Sequence, residues 1–412
     1  MTADTRPRIL FCETNVDGTI GGSYYSLLYL VKGLDRSRYR ATVLFSRDHS
    51  LMAAFRQAGA ETIVWPPDAP FTFATRVPAL LTIPALVLQK GLNFTLGYLY
   101  PVLARARFLR AQDITIVHLN NSIKKNHEWM AAATLAGRIC VTHERGINDS
   151  YEAAAKFFGR RLDAIICISQ AVHDNMVEHG ANFPNLVTIH NGLDPTMMQI
   201  KTVPAELRAT WRIEPAAPVI VMIGNIKQWK GQETVVRAVH RIRDKYPAVR
   251  CVFVGDTSPD DQYYETAVRG LVAELGLESN VIFTGYQRNV ADFLMMSDVV
   301  VHASVLPEPF GRVILEAMAC RKPVVGSRDG AITELVEEGH SGLTFTPGDS
   351  AQLAEAVLRV IGNPAEAQRL GQNGYERLIR EFHVDRNVES TERLYERLLQ
   401  TDRRAVASLQ AS

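Results

Sequence analysis

The feature that most constrains the fold of this chain is the alternation of short, apolar, β-branched runs with segments of helical periodicity. Seven such runs lie between residues 9 and 189, and six more lie between residues 218 and 345. Parallel strands joined by helices produce this pattern, because each strand is covered on both faces and is therefore apolar along its length. We therefore predict an α/β chain with two doubly wound, Rossmann-like parallel sheets.

The length supports the same division, since 412 residues are too many for one ordinary α/β unit and suit two. We place the first domain at residues 1–195 and the second at 218–383. A linker is predicted at 196–217, where prolines recur and no strand is evident. A helix at Val384–Gln400 is expected to pack back toward the first domain, and residues 401–412 are expected to form a frayed tail.

Composition excludes several classes of protein. Hydrophobic residues make up 47% of the chain and charged residues 22%, which excludes a disordered or fibrous protein. The net charge of +1 argues against a nucleic-acid partner, whose binding needs a basic excess. The five cysteines are odd in number and widely spaced, which is typical of reduced thiols. Because the start of the chain lacks a signal-peptide pattern, we expect a cytoplasmic location.

One stretch, residues 76–110, departs from the alternation. It is apolar, contains no acidic residue and carries five basic ones, Arg76, Lys90, Arg105, Arg107 and Arg110. Prolines interrupt it, and no uncharged run in it reaches the roughly 18 residues of a spanning helix. Two interpretations are open: an interfacial element on the inner, anionic face of a membrane, or helices that pack on the first domain with their arginines in water.

The strongest chemical signal is the run HASVLPEPFGRVILEAMACRKPVVG, residues 302–326, which contains Glu308 and Glu316. A helix that begins near Gly311 would direct unpaired backbone N–H groups and the positive end of its dipole at a diphosphate. Glu308, just before that helix, can accept hydrogen bonds from sugar hydroxyls. Glu316, within the helix, can accept a bidentate pair from the hydroxyls of a ribose.

These residues resemble glycosyltransferase family 4, whose retaining enzymes have the GT-B fold and carry an E-x7-E signature in the second domain. The resemblance extends along nearly the whole chain. It implies two Rossmann-like domains that face each other across a cleft, with Glu308 catalytic and Glu316 in the donor site. The donor site would also include the residues around the helix start, Phe310, Gly311, Arg312 and Val313.

A second motif of the family is MIGNIKQWKGQETVVRAV, residues 222–239, which reads as a strand, a glycine turn and a helix. In the family this loop supplies an arginine after the first glycine and a lysine before the second, and both face the donor diphosphate. Lys230 matches the lysine and is expected to be catalytic. Asn225 stands in the arginine's place, and Lys227 either supplies the missing charge or points to solvent.

Further candidates lie in turns after predicted strands. Gly21 and Gly22 precede a helix, where glycine lets the backbone approach a phosphate or sugar closely. His143 matches the position at which many family members hold a histidine near the transferred sugar, so we expect it to be catalytic. In the second half, Gly285 and Tyr286 match the region that holds the base of the donor, and Tyr286 is either a stacking ring or a surface aromatic.

Three more polar residues, His118, Asn120 and Asn121, follow a first-half strand and are candidate contacts of the acceptor or the sugar. The first glycine loop suggests a rival function, a nicotinamide-dependent oxidoreductase. Its spacing is not G-x-G-x-x-G, however, which disfavours a dinucleotide site.

The resemblance implies a retaining hexosyltransferase that moves a sugar from a nucleotide diphosphate sugar to a glycan or lipid-linked acceptor, as in cell-envelope polysaccharide or glycolipid synthesis. The chain has no Asp-x-Asp pair, so we expect no metal site and no other cofactor, and cationic side chains would hold the diphosphate. The alternatives are a nucleotide-sugar epimerase and a non-catalytic nucleotide-sugar or glycan-binding protein. The joint presence of Glu308, Glu316 and Lys230 weighs against a binding protein.

Overall fold

The computed structural model describes residues 4–15, 22–68, 72 and 82–410, with side chains up to residue 402. The chain divides into two compact units. Unit 1 comprises residues 1–168, 172–189 and 388–412, and unit 2 comprises residues 169–171 and 190–387.

The described residues of unit 1 form one parallel sheet. Its strands are β1 (Arg8–Glu13), β2 (Arg40–Phe45), β3 (Glu61–Val64), β4 (Ile114–Leu119), β5 (Ile139–Glu144), β6 (Ala164–Cys167) and β7 (Leu186–Thr188). They lie in the order β3-β2-β1-β4-β5-β6-β7, and every neighbouring pair is parallel. Because the strand order reverses between β1 and β4, the carboxyl ends of these two strands form the crevice in which such sheets bind ligands.

Helices connect these strands. They are α1 (Gly22–Gly33), α2 (Met52–Gln57), α3 (Thr82–Phe94), α4 (Tyr100–Ala111), α5 (His127–Ala136), α6 (Ala153–Gly159) and α7 (Gln170–Glu178). Burial is continuous along β1, where every residue from Ile9 to Glu13 is buried. Such continuous burial is expected of a parallel strand covered on both faces, and it explains the apolar runs in the sequence.

The described residues of unit 2 form a second parallel sheet. Its strands are β8 (Val219–Ile223), β9 (Arg250–Val254), β10 (Val281–Phe283), β11 (Val299–His302), β12 (Val324–Ser327) and β13 (Leu343–Phe345). They lie in the order β10-β9-β8-β11-β12-β13, with all neighbours parallel. The two sheets confirm the predicted fold class.

The helices of unit 2 follow the same alternation. They are α8 (Pro204–Thr210), α9 (Gln232–Arg243), α10 (Gln262–Glu274), α11 (Val290–Met296), α12 (Arg312–Ala319), α13 (Ile332–Leu335), α14 (Ser350–Ile361) and α15 (Pro364–Glu381). A further helix, α16 (Val384–Gln410), begins in this unit.

The predicted linker at residues 196–217 is wrong, because this stretch is part of unit 2. It contains α8, whose Leu207 packs in one apolar cluster with Val219 of β8. Pro204, and Pro195 just before this stretch, stand at first-turn positions, where the missing N–H has no intrahelical partner to lose. Here proline marks the start of helical turns within a packed unit.

The predicted tail at residues 401–412 is also wrong, because α16 continues to Gln410. The sequence TDRRAVASLQ contains neither glycine nor proline and is rich in helix-forming residues, so nothing in it ends the helix. From Val388 onward α16 belongs to unit 1. There the carboxylate of Glu392 accepts a hydrogen bond from the backbone N–H of Asp35 at 2.7 Å.

The described part of the 76–110 segment forms α3 and α4, joined by a π-helical turn, Thr95–Leu99. Arg76 lies outside the described residues. None of the side chains of α3 is buried, and Ile83, Val87 and Leu88 are 75%, 67% and 58% exposed. No helix among residues 22–68 and 82–410 is long and apolar enough to cross a bilayer.

In contrast to α3, α4 packs against the rest of unit 1. Arg105 of α4 is buried, which differs from both interpretations of the basic segment. Its guanidinium pairs with Asp68 at 2.5 Å and lies over the rings of Trp65 and Trp129, 5.5 and 5.2 Å from their centroids. Arg105 therefore belongs to the interior of unit 1, because an acidic partner and two aromatic faces compensate its desolvated charge.

Candidate functional site

In unit 2, the segments that follow β8 and β11 bring together a buried cluster around Glu308. Its carboxylate oxygen Oε2 lies 2.6 Å from the Lys230 ammonium, and it accepts hydrogen bonds from His302 Nε2 at 3.0 Å and Ser304 Oγ at 3.0 Å. Burial acts to raise the pKa of Glu308, but the hydrogen bond from His302 and the charge of Lys230 outweigh it and lower the pKa to about 2. Glu308 is therefore ionised at neutral pH and forms an ion pair with Lys230.

Two glycine turns fix the ends of this ion pair. Gly231 directly follows Lys230 with φ +76°, and a Cβ there would lie 2.1 Å from the carbonyl oxygen of Ala303. Gly330 has φ +54°, and a Cβ there would lie 2.5 Å from both the backbone nitrogen and the backbone oxygen of Glu308. Only glycine fits at either position. The loops after β8, β11 and β12 therefore pack backbone against backbone, which positions both charges.

Helix α12 begins beside this cluster. Gly311 is its N-cap residue, and Phe310 before it is buried. Within the helix, the Arg312 guanidinium pairs with the Glu316 carboxylate at 3.1 Å, one turn away, while Val313 between them is half-buried. The first backbone N–H groups of a helix have no intrahelical partner. The start of α12 thus combines the N–H groups of a helix N-terminus with the Arg312 cation and the Glu316 carboxylate, within a few residues of Glu308.

The loop after β8 places Lys227 in an ion pair within unit 2. The Lys227 ammonium pairs with the Asp261 carboxylate at 3.1 Å, just before α10. Asn225, which occupies the place of the family's arginine, is exposed, and its carbonyl oxygen accepts a hydrogen bond from the side chain of Gln232 at 3.1 Å. Whether Lys227 serves the donor stays a prediction, but its charge is compensated within unit 2.

The predicted base-binding residues, Gly285 and Tyr286, lie in the loop after β10. The Gly255 N–H donates to the Gly285 carbonyl oxygen at 3.0 Å, which joins the loops after β9 and β10. The Tyr286 side chain is 70% exposed. The structure therefore shows Tyr286 as a surface aromatic, and its stacking on a base stays a prediction.

In unit 1, two predicted histidines lie together at the carboxyl ends of β4 and β5. His118 Nε2 and His143 Nδ1 are 2.7 Å apart, and both side chains are buried. Burial, aided by the charge of Arg145, lowers the pKa of His118 to about 3 and the pKa of His143 well below its ordinary value. Both imidazoles are therefore neutral at pH 7.

A third buried group at this edge was not predicted. Glu13, the last residue of β1, is fully buried, and its carboxylate accepts hydrogen bonds from the side-chain amides of Asn120 at 2.5 Å and Asn121 at 3.2 Å. Arg145 donates to the backbone and side-chain oxygens of Asn120, at 2.8 and 2.7 Å. The two asparagines thus hold Glu13, and their contact with a sugar or an acceptor stays a prediction.

A cavity of about 570 Å³ lies next to these residues in unit 1, at the carboxyl ends of β1, β2 and β3. Its wall combines two indole rings with amide and carboxylate groups: Trp65, Trp129, Asn15, Asn126, Asp68 and Glu128. The Nδ2 group of Asn126 is buried and makes no hydrogen bond with the part of the chain that the structure describes. The cavity therefore offers flat apolar surfaces together with hydrogen-bonding groups.

Two predicted glycines precede or begin the first helix of unit 1. Gly21 lies outside the described residues, and Gly22 is the first residue of α1. Sequence reasoning also missed the roles of His302 and Ser304, which donate hydrogen bonds to Glu308 and stand at the start of the 302–326 run. The signal that could have found them is a polar residue at the carboxyl end of an apolar strand: His302 ends β11, Ser304 follows two residues later, and Glu13 ends β1.

Two family models match this chain. The model described as Glycosyltransferase Family 4 matches residues 20–197, and the model described as Glycosyl transferases group 1 matches residues 205–377. The two matches do not overlap, and the second includes both motifs of unit 2, the one around Lys230 and the one around Glu308.

Curated relatives match over part of their length. N-acetyl-alpha-D-glucosaminyl L-malate synthase of Bacillus anthracis is 27% identical over 258 residues, 63% of this chain and 66% of its own length. Alpha-maltose-1-phosphate synthase of Mycobacterium tuberculosis is 34% identical over 251 residues, 57% of this chain and 63% of its own length. The matches thus span 63–66% of the length of these two relatives.

Solved structures match over nearly the whole chain. The HepE protein of Anabaena, in complex with UDP and glucose, has a TM-score of 0.76 at 25% identity and covers 94% of this chain and 99% of its own. A glycosyltransferase of Rickettsia africae has a TM-score of 0.79 at 17% identity, covers 96% of this chain and 99% of its own, and shows likeness of fold alone. The two parallel sheets described above are therefore those of the GT-B fold.

Proposed function

We propose that this chain, which belongs to the family 4 type of glycosyltransferases, moves a sugar from a nucleotide diphosphate sugar to an acceptor. The observation that carries the proposal is the buried ion pair of Lys230 and Glu308 beside the start of α12. A diphosphate needs positive charge and N–H donors, and a sugar needs acceptors for its hydroxyls. This corner of unit 2 supplies both.

Binding of the donor requires an exchange of partners. Lys230 and Arg312 are each paired with a carboxylate in this structure. A diphosphate that binds at the start of α12 competes for both cations, and this frees Glu308 to accept hydrogen bonds from the transferred sugar. Glu316 is released from Arg312 in the same way and is free to accept from the ribose hydroxyls. The donor thereby replaces two internal ion pairs with ion pairs to its diphosphate and with hydrogen bonds from its hydroxyls to the two carboxylates.

The proposed reaction retains the configuration of the anomeric carbon and needs no metal. The bond from the anomeric carbon to the phosphate oxygen breaks, and the acceptor oxygen bonds to the same face of that carbon. The acceptor proton passes to the departing phosphate, whose charge Lys230 stabilises. The coupling constant of the anomeric proton in the product tests retention, and a rate unchanged by excess EDTA supports metal independence.

UDP-sugars are the first donors to test. HepE of Anabaena, which is similar in fold, was solved with UDP and glucose. The residues that would contact the base, Gly285 and Tyr286, lie in loops of unit 2 and present backbone groups and an exposed ring. Backbone groups and a ring can hold a uracil without a dedicated charged side chain.

The cavity of unit 1 supports a glycan as the acceptor. Trp65 and Trp129 offer flat apolar surfaces for a pyranose ring, and Asp68, Glu128 and Asn126 offer groups for its hydroxyls. We propose that the glycan is free or lipid-linked, as in cell-envelope polysaccharide or glycolipid synthesis.

Helix α3 supports peripheral attachment at the inner face of a membrane. Its exposed apolar side chains lie close in sequence to three exposed cations, Lys90, Arg107 and Arg110, and residues 82–110 contain no acidic residue. An apolar surface with basic neighbours is the combination that an anionic lipid surface attracts. Asn93 of α3 also lines the cavity, so an acceptor anchored in the same membrane would be within reach.

Vesicle flotation tests this attachment. We expect the protein to float with vesicles that contain phosphatidylglycerol, and less with pure phosphatidylcholine. The variant Val87→Glu should lose most of this recovery, since it places an anion on the apolar surface. Ile379→Glu, a change at an exposed apolar residue of unit 2, serves as the matched control. Equal recovery of Val87→Glu and the unchanged protein would refute the attachment.

A donor screen tests the central proposal. Purified protein is incubated with a panel of nucleotide sugars, and both release of nucleoside diphosphate and thermal stabilisation are followed. We expect one nucleotide family to stabilise the protein, and Lys230→Ala and Glu316→Ala to abolish the effect. The matched control is Lys245→Ala, which removes an exposed lysine of the same unit that also lies near an aromatic ring.

The outcome also separates the alternatives. Stabilisation without turnover, with any acceptor offered, would favour a nucleotide-sugar-binding protein. Conversion of the donor to its epimer without an acceptor would favour an epimerase. The absence of any response to any donor would contradict the proposed donor site.

A further inference from the structure

A chain of three buried side chains runs through unit 1. The hydroxyl of Tyr395 on α16 contacts His118 Nδ1, and His118 Nε2 contacts His143 Nδ1 at 2.7 Å. Tyr395 and His118 are fully buried and His143 is 2% exposed. The ring of Tyr395 meets the ring of His118 edge to face, with centroids 5.8 Å apart. The C-terminal helix is thus connected through hydrogen bonds to the histidine predicted to act on the sugar.

The positions of the protons on Tyr395, His118 and His143 follow from the buried hydroxyl of Tyr395. Among the residues that the structure describes, His118 Nδ1 is the one hydrogen-bond partner of the Tyr395 hydroxyl. If that hydroxyl only accepted, its own proton would be buried without a partner, a state that folded proteins avoid. The Tyr395 O–H therefore donates, and His118 Nδ1 carries no proton.

The same reasoning continues to the next ring. A neutral imidazole has one N–H and one bare nitrogen, so His118 holds its proton on Nε2 and donates it to His143 Nδ1. His143 Nδ1 then accepts, and His143 must hold its own proton on Nε2. One phenol thus determines the tautomer of two histidines.

We propose that Tyr395 is a positioning residue that sets His143, through His118, as an Nε2–H hydrogen-bond donor. The inference deepens the proposed function, on which the role of His143 at the sugar rests. An Nε2–H group can donate to an oxygen of the transferred sugar. It cannot take a proton from the acceptor hydroxyl, because both nitrogens of His143 are already committed. The acceptor proton must then go elsewhere, in agreement with its transfer to the departing phosphate.

The electrostatics of the three groups agree with this assignment. Burial lowers the pKa of both histidines, and the charge of Arg145 lowers it further. Burial also raises the pKa of Tyr395 well above its ordinary value. All three groups are therefore neutral at pH 7: Tyr395 is an unionised phenol, and His118 and His143 are neutral imidazoles.

Nuclear magnetic resonance of the full-length protein, labelled with nitrogen-15 at histidine, tests the assignment directly. A two-bond proton–nitrogen correlation spectrum distinguishes the Nε2–H tautomer from the Nδ1–H tautomer by its pattern of cross-peaks. His118→Gln and His143→Gln spectra assign the two residues. We expect both histidines to show the Nε2–H pattern at pH 7. An Nδ1–H pattern for His143 in the unchanged protein would overturn the proposal.

The variant Tyr395→Phe tests the cause. It keeps the aromatic volume but removes the donor, so we expect the single Nε2–H pattern of His143 to be lost or mixed with the Nδ1–H pattern. Tyr39→Phe is the matched control, because Tyr39 is also buried and its ring lies 5.9 Å from that of Tyr395, while its hydroxyl accepts from Arg38. An unchanged histidine spectrum in Tyr395→Phe would refute the positioning role, as would equal changes in both variants.

The transfer rate provides an independent readout. Once a donor is known, Tyr395→Phe should lower kcat by at least about tenfold, a loss typical when the partner that orients a functional histidine is removed. Tyr39→Phe should leave kcat unchanged. Because the tautomers are measured without substrate, a failure of the proposed function would leave the spectra as expected, whereas a failure of this inference appears in the spectra themselves.

Discussion

The substitution Gly330→Ala tests how closely the loops of unit 2 position Glu308. A Cβ at residue 330 would lie 2.5 Å from the backbone nitrogen and oxygen of Glu308, whereas carbon contacts below 3.0 Å are essentially never seen and ordinary contact begins at 3.4 Å. The two segments must therefore separate by about 0.5 to 0.9 Å. The hydrogen bond from the Ala331 N–H to the Glu308 carbonyl oxygen, now 2.9 Å, would be strained as well.

This displacement is large compared with the tolerance of a reacting site. Glu308 lies 2.6 Å from Lys230, and a misplacement of 1 Å at such a site costs on the order of 10²-fold in rate. If the logarithm of the rate scales with distance, a shift of 0.5 to 0.9 Å corresponds to a loss of about 10- to 60-fold. Alanine at a left-handed position also destabilises the fold, by about 1–2 kcal/mol.

The control separates these two effects. Gly339 of unit 2 has φ +72°, but a Cβ there would meet nothing within 4 Å. Gly339→Ala therefore has the same backbone strain without the displacement. The assay is the rate of nucleoside diphosphate release, together with thermal unfolding. We expect both variants to lose similar stability and only Gly330→Ala to lose rate. A folded Gly330→Ala that keeps its rate within about twofold, or an equal loss in Gly339→Ala, would refute the reasoning.

Three further predictions concern the charges of unit 2. Lys230→Met leaves the buried carboxylate of Glu308 without its cation. It should therefore reduce the free energy of unfolding at pH 7, measured in urea, by about 3 kcal/mol. An unchanged free energy of unfolding would mean that the ion pair is not buried in solution. Because the folded-state pKa of Glu308, about 2, lies below its ordinary value of 4.5, its ionised form stabilises the fold above about pH 4.5, and this stabilisation is lost as the pH falls toward 2. The thermal midpoint should therefore depend less on pH in this range in Lys230→Met than in the unchanged protein, and parallel curves would contradict the assigned shift. Asp261→Asn removes the carboxylate that pairs with the Lys227 ammonium. If Lys227 contacts the diphosphate, this change should lower the KM for the donor by up to about fivefold. An unchanged or raised KM would place Lys227 outside the donor site.

Much of the fold was predictable because buried parallel strands have a local signature. The apolar runs at Ile114–Leu119, Arg250–Val254 and Leu343–Phe345, which lie within the two predicted series, are strands of the two sheets. The errors lie where local signals were ambiguous. Prolines are compatible with an open linker and with the first turn of a helix, and Pro204 begins α8 in a packed unit. A small, polar tail is compatible with fraying and with continued helix, and α16 extends to Gln410.

Sequence motifs identify the residues of the candidate site, but they do not predict how those residues are arranged. Lys230 and Glu308 each belong to a motif, yet the ion pair joins residues 78 positions apart. Its formation depends on β8 and β11 being neighbours in the sheet and on glycines at 231 and 330 that let three loops touch. The position of His302 at the end of an apolar strand marks it as a site candidate, but no pattern in the sequence identifies Glu308 as its partner, because the two meet through the fold of the loop after β11.

By itself, the sequence determined the α/β class, the place of nearly every strand, and the residue types that a diphosphate and a sugar require. These properties depend on side chains within one segment, where periodicity and turn chemistry act over a few residues. The tertiary structure alone decided which charges compensate one another: Glu308 with Lys230, Lys227 with Asp261, and Glu13 with two asparagines. It also decided that Tyr395 reaches His118. Partners distant in sequence meet only through strand order and loop packing, so the protonation states and hydrogen-bonding roles of these groups could not be read from the sequence alone.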